Sequence, residues 1–236
     1  ISHDRFINKS TEVIEEKFIP ENQFSDFAVG AELKERIIQK GFTTPTPIQD
    51  QSIPHILRGA DLVGIANTGT GKTASFLIPL IHKVEQDRKE KVLIIVPTRE
   101  LAIQIDEEFR ALAKGMRLFS VCVVGGVGIG KQISDLRLQN NFVIGTPGRL
   151  KDLIERKCIR LSEFNSVVLD EADRMLDMGF IRDIRFLLQH KSAEAKTYFF
   201  SATIDKQVSE LLKEFSKDPE VISVRTTETA STIKQS

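Results

Sequence analysis

Residues 63–75 read VGIANTGTGKTAS, and the residue types at the end of this stretch are those that hold phosphate. Gly69 and Gly71 let backbone N–H groups approach an anion with no Cβ in the way. Lys72 brings a positive charge for the outer phosphates, and Thr73 a hydroxyl for a divalent cation. A turn of N–H groups that opens a helix adds the helix dipole to that cradle, in which Thr68 and Thr70 also stand. The stretch departs from G-x-x-x-x-G-K-[ST] at one position, where Ala66 replaces the first glycine. Ala66 stands where the chain leaves an apolar run, a place that asks for close packing rather than positive φ, so alanine is expected to serve. Further on, SVVL is followed by Asp170-Glu171-Ala172-Asp173. A carboxylate at the end of an apolar strand, Asp170, suits a metal-holding role, and Glu171 beside it suits orienting or deprotonating a water. Alone, these acids fit the first turn of any helix equally well. Together with the glycine loop they favour phosphate chemistry.

Both groups must be carried by regular elements. DLVGIA, KVLIIV, FSVCVV, FVIG, SVVLD, TYFFSA and VISV are short, almost uninterrupted apolar runs. Such runs suit strands buried on both faces of a parallel sheet. Between them, TASFLIPLIHKVEQ and ELAIQIDEEFRALAK carry apolar residues at helical spacing, as do Leu33, Ile37 and Ile38 upstream; a helix is also expected from Pro47 to Leu57. Alternation of strand and helix implies an α/β fold, an open and mostly parallel sheet of seven strands or so with helices on both faces. In such folds ligands bind at the carboxyl ends of strands. The segments that follow the runs are NTGTGKT, PTRELA, GGVGIG, TPGRL, DEAD and SAT, all rich in Gly, Pro, Thr, Ser or charge.

Composition narrows the class. The chain has 236 residues, 33 basic and 33 acidic, for a net charge of zero. That excludes a protein that coats nucleic acid by charge alone, but not one that grips a phosphate backbone with a few placed groups. No apolar run approaches the roughly 20 residues needed to span a bilayer, and the mixed charges of residues 1–20 do not resemble a secretory signal. The chain starts at Ile1, as an excised piece would. Cys122, in an apolar run, is expected to be a buried small hydrophobe; with Cys158 far from it, reduced thiols and a cytoplasmic location are the default. The four histidines are scattered, without metal-ligand spacing.

Asp170-Glu171-Ala172-Asp173 is the namesake sequence of the DEAD-box ATP-dependent RNA helicases, and the other strand-end segments match that family in order. GFTTPTPIQ, with Phe24 upstream, resembles its adenine-reading Q motif. ANTGTGKT resembles its phosphate loop, in which alanine commonly takes the first position. PTRELA, Gly125-Gly126, TPGR and SAT follow. The chain therefore resembles the amino-terminal RecA-like domain of a DEAD-box helicase over residues 24–225, with an arm over 1–23 and the start of a linker over 226–236.

The resemblance implies ATP or ADP and Mg2+ as ligands, and roles for particular residues. Phe42 would stack on adenine and Gln49 would bond its N6/N7 edge, with Thr44 beside them. Thr68, Gly69, Thr70, Gly71, Lys72 and Thr73 would hold the phosphates. Thr73 and Asp170 would hold Mg2+, with Lys72, Asp170 and Glu171 as the catalytic set. Pro97, Thr98, Arg99, Gly126, Thr146 and Arg149 would hold the backbone of single-stranded RNA. Asp173, Ser201 and Thr203 would couple the two sites. Backbone recognition is sequence-independent and fits a chain with no Trp and one Tyr.

GGVGIG has the wrong spacing for a dinucleotide loop and is read as the double glycine with a flexible extension over Gly128–Gly130. The Met and Phe of MLDMGF are expected to be core behind the acids. The family works with two RecA-like domains, so this chain is expected to bind nucleotide, bind RNA poorly and turn over little until joined to a second RecA-like domain. The alternative is a single-domain nucleotide or RNA adaptor without turnover. A transporter is disfavoured because LSGGQ is absent.

Overall fold

The structure is a computed structural model that describes residues 18–224. The arm expected over 1–23 falls outside these residues as far as 17, and the linker expected over 226–236 falls outside them altogether.

The apolar runs form seven strands: β1 Leu62–Ile65, β2 Val92–Ile95, β3 Ser120–Val123, β4 Phe142–Gly145, β5 Ser166–Leu169, β6 Lys196–Ser201 and β7 Glu220–Ser223. They make one sheet in the order β3-β4-β2-β5-β6-β1-β7. Every pairing is parallel. All carboxyl ends therefore share one edge. The helices are α1 Ala31–Gln39, α2 Pro47–Leu57, α3 Lys72–Gln86, α4 Arg99–Leu112, α5 Ile129–Leu136, α6 Pro147–Glu155, α7 Ala172–Asp177, α8 Ile181–Gln189 and α9 Lys206–Phe215.

Strand side chains alternate between two cores, one on each face of the sheet. Leu62, Ile94, Phe142, Val168 and Phe200 join one core with Phe76 of α3 and Phe109 of α4. Val63, Leu93, Val143, Val167 and Phe199 join the other with Leu150 of α6, Ile184 of α8 and Leu211 of α9. Gly64 is required by this packing, because a Cβ there would lie 2.7 Å from the Phe200 ring. At the amino ends of the strands, buried Asp61 accepts N–H bonds from Thr197 (3.1 Å) and Lys217 (3.0 Å), which ties β6 and the approach to β7 to the start of β1.

Local details differ from the sequence expectations. Ile38 does not share the buried face of Leu33 and Ile37 but is 69% exposed. Gly128–Gly130 is not a loose extension: Gly128 precedes α5 and Gly130 lies in its first turn. Cys122 is only partly buried, with its Sγ 3.5 Å from the Ala102 carbonyl oxygen. In MLDMGF, Met175 is core, whereas Met178 is 49% exposed.

Candidate functional site

The phosphate-loop residues link the end of β1 to α3. Ala66 keeps a negative φ and is buried; its N–H donates to the Ser201 carbonyl at 3.0 Å and its own carbonyl accepts Lys72 Nζ at 2.9 Å. A first glycine is therefore unnecessary. Gly69 and Gly71 have φ of 77° and 90°, which side chains with a Cβ resist. Gly71 is doubly constrained, because a Cβ there would lie 2.4 Å from Gln49 Nε2.

Gln49 explains that crowding. Its Oε1 accepts the Thr46 N–H at 2.9 Å, and its Nε2 donates to the Gly71 carbonyl at 3.1 Å. It thus fastens the start of α2 to the phosphate loop and keeps one donor and one acceptor for a ligand. A cleft of about 540 Å³ opens here, lined by Phe42, Thr44, Gln49, Thr68, Gly69, Gly71, Lys72, Thr73, Asp170 and Glu171. Thr70 is not part of its wall; its hydroxyl donates to the Asn67 carbonyl at 2.8 Å and braces the loop. Phe42 is stacked on Phe24 at 5.9 Å with the planes 19° apart, so Phe24 is a buried support for the ring that faces the cleft. Gln104 and Glu108 of α4 also line the cleft, and burial raises the Glu108 carboxyl above its usual range against the pull of Lys40. Their distance from the glycine loop in sequence hid them.

Asp170 is 2% exposed. Burial pushes its carboxyl up to about 6, the Lys72 ammonium opposes that shift, and the Glu171 carboxylate adds to it. A buried carboxylate in this position is stabilised by a cation, and with the Thr73 hydroxyl it makes a hard-oxygen donor set. Among the described residues no group of three His, Cys, Asp or Glu side chains converges as a metal cage. Glu171 sits in the left-handed region at φ 53°, ψ 49°, uncommon for a non-glycine residue, and its carboxylate is held 2.9 Å from Arg174 Nη1.

The order of the strands sets what lies between the loop and the acids. β6 separates β5 from β1, so the SAT segment after β6 stands between them. Asp173 Oδ2 accepts from the Ala202 N–H (3.2 Å), the Thr203 N–H (2.9 Å) and the Thr203 hydroxyl (2.9 Å). Ser201 Oγ accepts the Asp173 N–H at 3.2 Å and donates to the Thr203 carbonyl at 2.7 Å. Burial alone would raise the Asp173 carboxyl, but these bonds from Thr203 and one from the Arg174 N–H outweigh it and hold it below the usual range.

The candidate RNA residues follow β2, β3 and β4, which are neighbours in the other half of the sheet. Thr98 caps α4, its hydroxyl accepting the Leu101 N–H at 3.2 Å, a contact worth about 1 kcal/mol. Arg99 is exposed and Pro97 buried, so the proline shapes the turn rather than offering surface. Gly126, at φ 76°, has Arg99 Nη1 4.0 Å from where its Cβ would be. Thr146 precedes α6, its N–H on the Val123 carbonyl at 3.2 Å. Arg149 Nη1 donates to Gln132 Oε1 at 2.9 Å and Nη2 to the Val127 carbonyl at 3.1 Å, while buried Gln132 anchors to the Val124 carbonyl at 3.0 Å. Gln132 was invisible in the sequence, where nothing marks it beyond its place after the glycines.

A glycine loop, strand-end acids and SAT threaded between them on one parallel sheet define a specific arrangement. The DEAD/DEAH box helicase family model matches residues 46–211. The chain belongs to that family. Relatives include the DEAD-box ATP-dependent RNA helicase CshA of Bacillus subtilis, 44% identical over 214 residues, covering 90% of this chain and 43% of that protein. The RNA helicase CrhR of Synechocystis is 40% identical over 209 residues, covering 89% of this chain and 42% of its own. A DEAD box protein from Methanococcus jannaschii has a solved structure that matches with a TM-score of 0.83 at 38% identity, covering 86% of this chain and 56% of that one. A hypothetical ATP-dependent RNA helicase from Sulfolobus tokodaii matches with a TM-score of 0.77 at 37% identity, over 82% and 56%. This DEAD-box chain thus spans less than half the length of the CshA and CrhR proteins it matches. Its seven-stranded parallel sheet is that of a RecA-like domain. No helix among the described residues is long and apolar enough to cross a membrane.

Proposed function

We propose that this domain, taken as residues 24–225, is the nucleotide-binding half of an ATP-dependent RNA helicase in the cytoplasm. It binds ATP or ADP in the cleft under Phe42 and grips the backbone of single-stranded RNA along the exposed loops after β2, β3 and β4. The observation that carries this reading is the Asp173–Ser201–Thr203 cluster, which ties the acids after β5 to the loop after β6, beside the phosphate loop. Phe42 stacks on the base and the free amide valences of Gln49 read its N6/N7 edge, a bidentate match that guanine lacks. The N–H groups from Thr68 to Thr73 and the Lys72 ammonium neutralise the phosphates. Thr73 and Asp170 hold Mg2+, which supplies Lewis-acid neutralisation of the phosphate oxygens when bound. Glu171 orients the attacking water and takes its proton.

Turnover needs a second RecA-like domain to close the cleft and supply transition-state cations, groups worth 10³–10⁵ in rate in other phosphate-loop NTPases. The test is ATP hydrolysis with and without single-stranded RNA, for the chain alone and fused to a second RecA-like domain. RNA-stimulated turnover is expected only in the fusion. Full RNA-stimulated turnover by the chain alone would overturn the two-domain reading, and none in the fusion would favour a binding adaptor. Replacing Gln49 by Ala should weaken ATP binding more than GTP binding, because loss of the clasp on Gly71 affects both nucleotides and loss of the base contact only ATP; equal losses would remove Gln49 from base selection.

A further inference from the structure

A second groove, of about 660 Å³, lies at the opposite edge of the sheet, among the amino ends of β2, β4 and β5. Arg88, Lys89, Lys91, Lys157 and Arg160 line it against one carboxylate, Glu163, in a chain whose overall charge is zero. Charges scattered over a solvated face would not converge in this way. Some are fixed in place. Arg88 Nη1 donates to the Met116 and Arg117 carbonyls at 2.7 and 3.1 Å, and Glu163 holds Lys91 at 2.7 Å and Arg160 at 2.5 Å. Among the described residues the side chains of Lys89 and Lys157 carry no ion pair, and both residues are exposed. Lys157 sits at φ 58°, a conformation that glycine adopts without cost, yet a lysine is present.

The floor of the groove is apolar. Leu136, Val143, Ile159 and Phe164 form it, and Leu138, 68% exposed, stands at its lip. Basic walls around an apolar floor suit a ligand that is acidic and also carries an apolar anchor. A phosphate backbone would use the charge but not the floor. A base would need an open aromatic face, and Phe164, the one aromatic in the lining, is 4% exposed.

We propose that this groove docks an acidic peptide segment that lays one large aliphatic side chain against Leu136 and Leu138. Lys89 and Lys157 supply the attraction and orientation, and Leu136 and Leu138 supply the apolar contact area. Because the groove and the nucleotide cleft lie at opposite edges of one parallel sheet, the peptide binds whether or not nucleotide is present. The interaction weakens as salt rises, because exposed charges are screened.

Fluorescence anisotropy of the whole chain, titrated into a short labelled peptide of Asp and Glu residues around one leucine, tests this. Lys89→Glu combined with Lys157→Glu should weaken binding about tenfold or more, and Leu138→Ser about threefold. ADP should change neither value. If charge reversal lowers the melting temperature, the Lys→Gln pair should give the same ranking with a smaller loss. Unchanged affinity in both lysine pairs would overturn the proposal. So would equal binding of a peptide with glycine in place of its leucine, which would show charge attraction alone. The class of partner would be wrong if oligouridylate displaced the peptide and lost affinity for the charge-reversed protein, since the groove would then be a nucleic-acid surface.

Discussion

The carboxyl edge of the sheet divides into two halves of different character. Around β1, β5 and β6 the central charged pair is withdrawn from water: Lys72 is 6% exposed and Asp170 2%. Around β2, β3 and β4 the groups stand at helix starts, with Arg99 and Gly126 exposed and Arg149 half-buried. A low-dielectric pocket strengthens every charge it fixes, as bond cleavage demands. A grip on a sugar–phosphate strand that must later be released gains more from exposed, screened contacts. In the proposed function one scaffold serves both because its strand order sorts the loops: those that follow β3, β4 and β2 fall on one side, those that follow β5, β6 and β1 on the other. The halves meet where the Asp170 N–H donates to the Ile95 carbonyl at 3.0 Å.

The largest expected effect tests the inward half. In a two-domain fusion, Glu171→Gln should lower ATP turnover by about 10²-fold or more while nucleotide affinity is kept, as loss of a general base does; unaltered turnover would remove Glu171 from the chemistry. Next comes the bonded cluster within the inward half, where the acids after β5 meet the loop after β6. Asp173→Ala deletes the bonds to Ala202 and Thr203. RNA stimulation of turnover should fall about tenfold with nucleotide affinity preserved, since networks of this kind act as units. Equal loss of basal and stimulated rates would make Asp173 purely structural.

On the outward half, Arg149→Ala should weaken single-stranded RNA binding several-fold and reduce the slope of log affinity against log salt by about 1, leaving nucleotide affinity alone. Gln132→Ala, which removes one of the two anchors of the guanidinium, should give a smaller loss with the salt slope intact. The smallest effect is on stability. Asp170 has a carboxyl raised to about 6, so the stability it contributes is complete below its ordinary value of 3.8 and lost as pH rises through about 6. In protein free of nucleotide and Mg2+, Asp170→Asn should therefore raise Tm by about a few degrees at pH 7.5 and by less at pH 5. No difference between the two pH values would mean that the carboxylate is better solvated than its burial implies.

Much of this was legible in the sequence because parallel sheets write themselves as unbroken apolar runs, each followed by its loop. The seven strands and the cleft residues Lys72, Thr73, Asp170 and Glu171 fall where those runs place them. What escaped depends on separations that no local pattern records. Gln132 meets Arg149 across 17 positions, Asp61 meets Thr197 across 136, and Glu108 reaches the cleft from the far end of a helix named for its first turn. Ile38 failed for the opposite reason: helical spacing marks a stripe, but which neighbour covers its margin is decided by packing. Gln49 was singled out in the sequence for the adenine edge, but its clasp on Gly71 was not legible, because that clasp exists only once α2 lies across the loop.

The residue after Gln49 carries a practical consequence. Buried Asp50 accepts the N–H groups of Glu21 (2.8 Å) and Asn22 (3.0 Å) and the Asn22 side-chain amide (2.7 Å). The incoming polypeptide is thereby moored one peptide unit from Gln49, which lines the cleft. A spectroscopic label at Ile19, which is 83% exposed and two residues before that mooring, would act as a sentinel for its release without replacing any residue that lines the cleft.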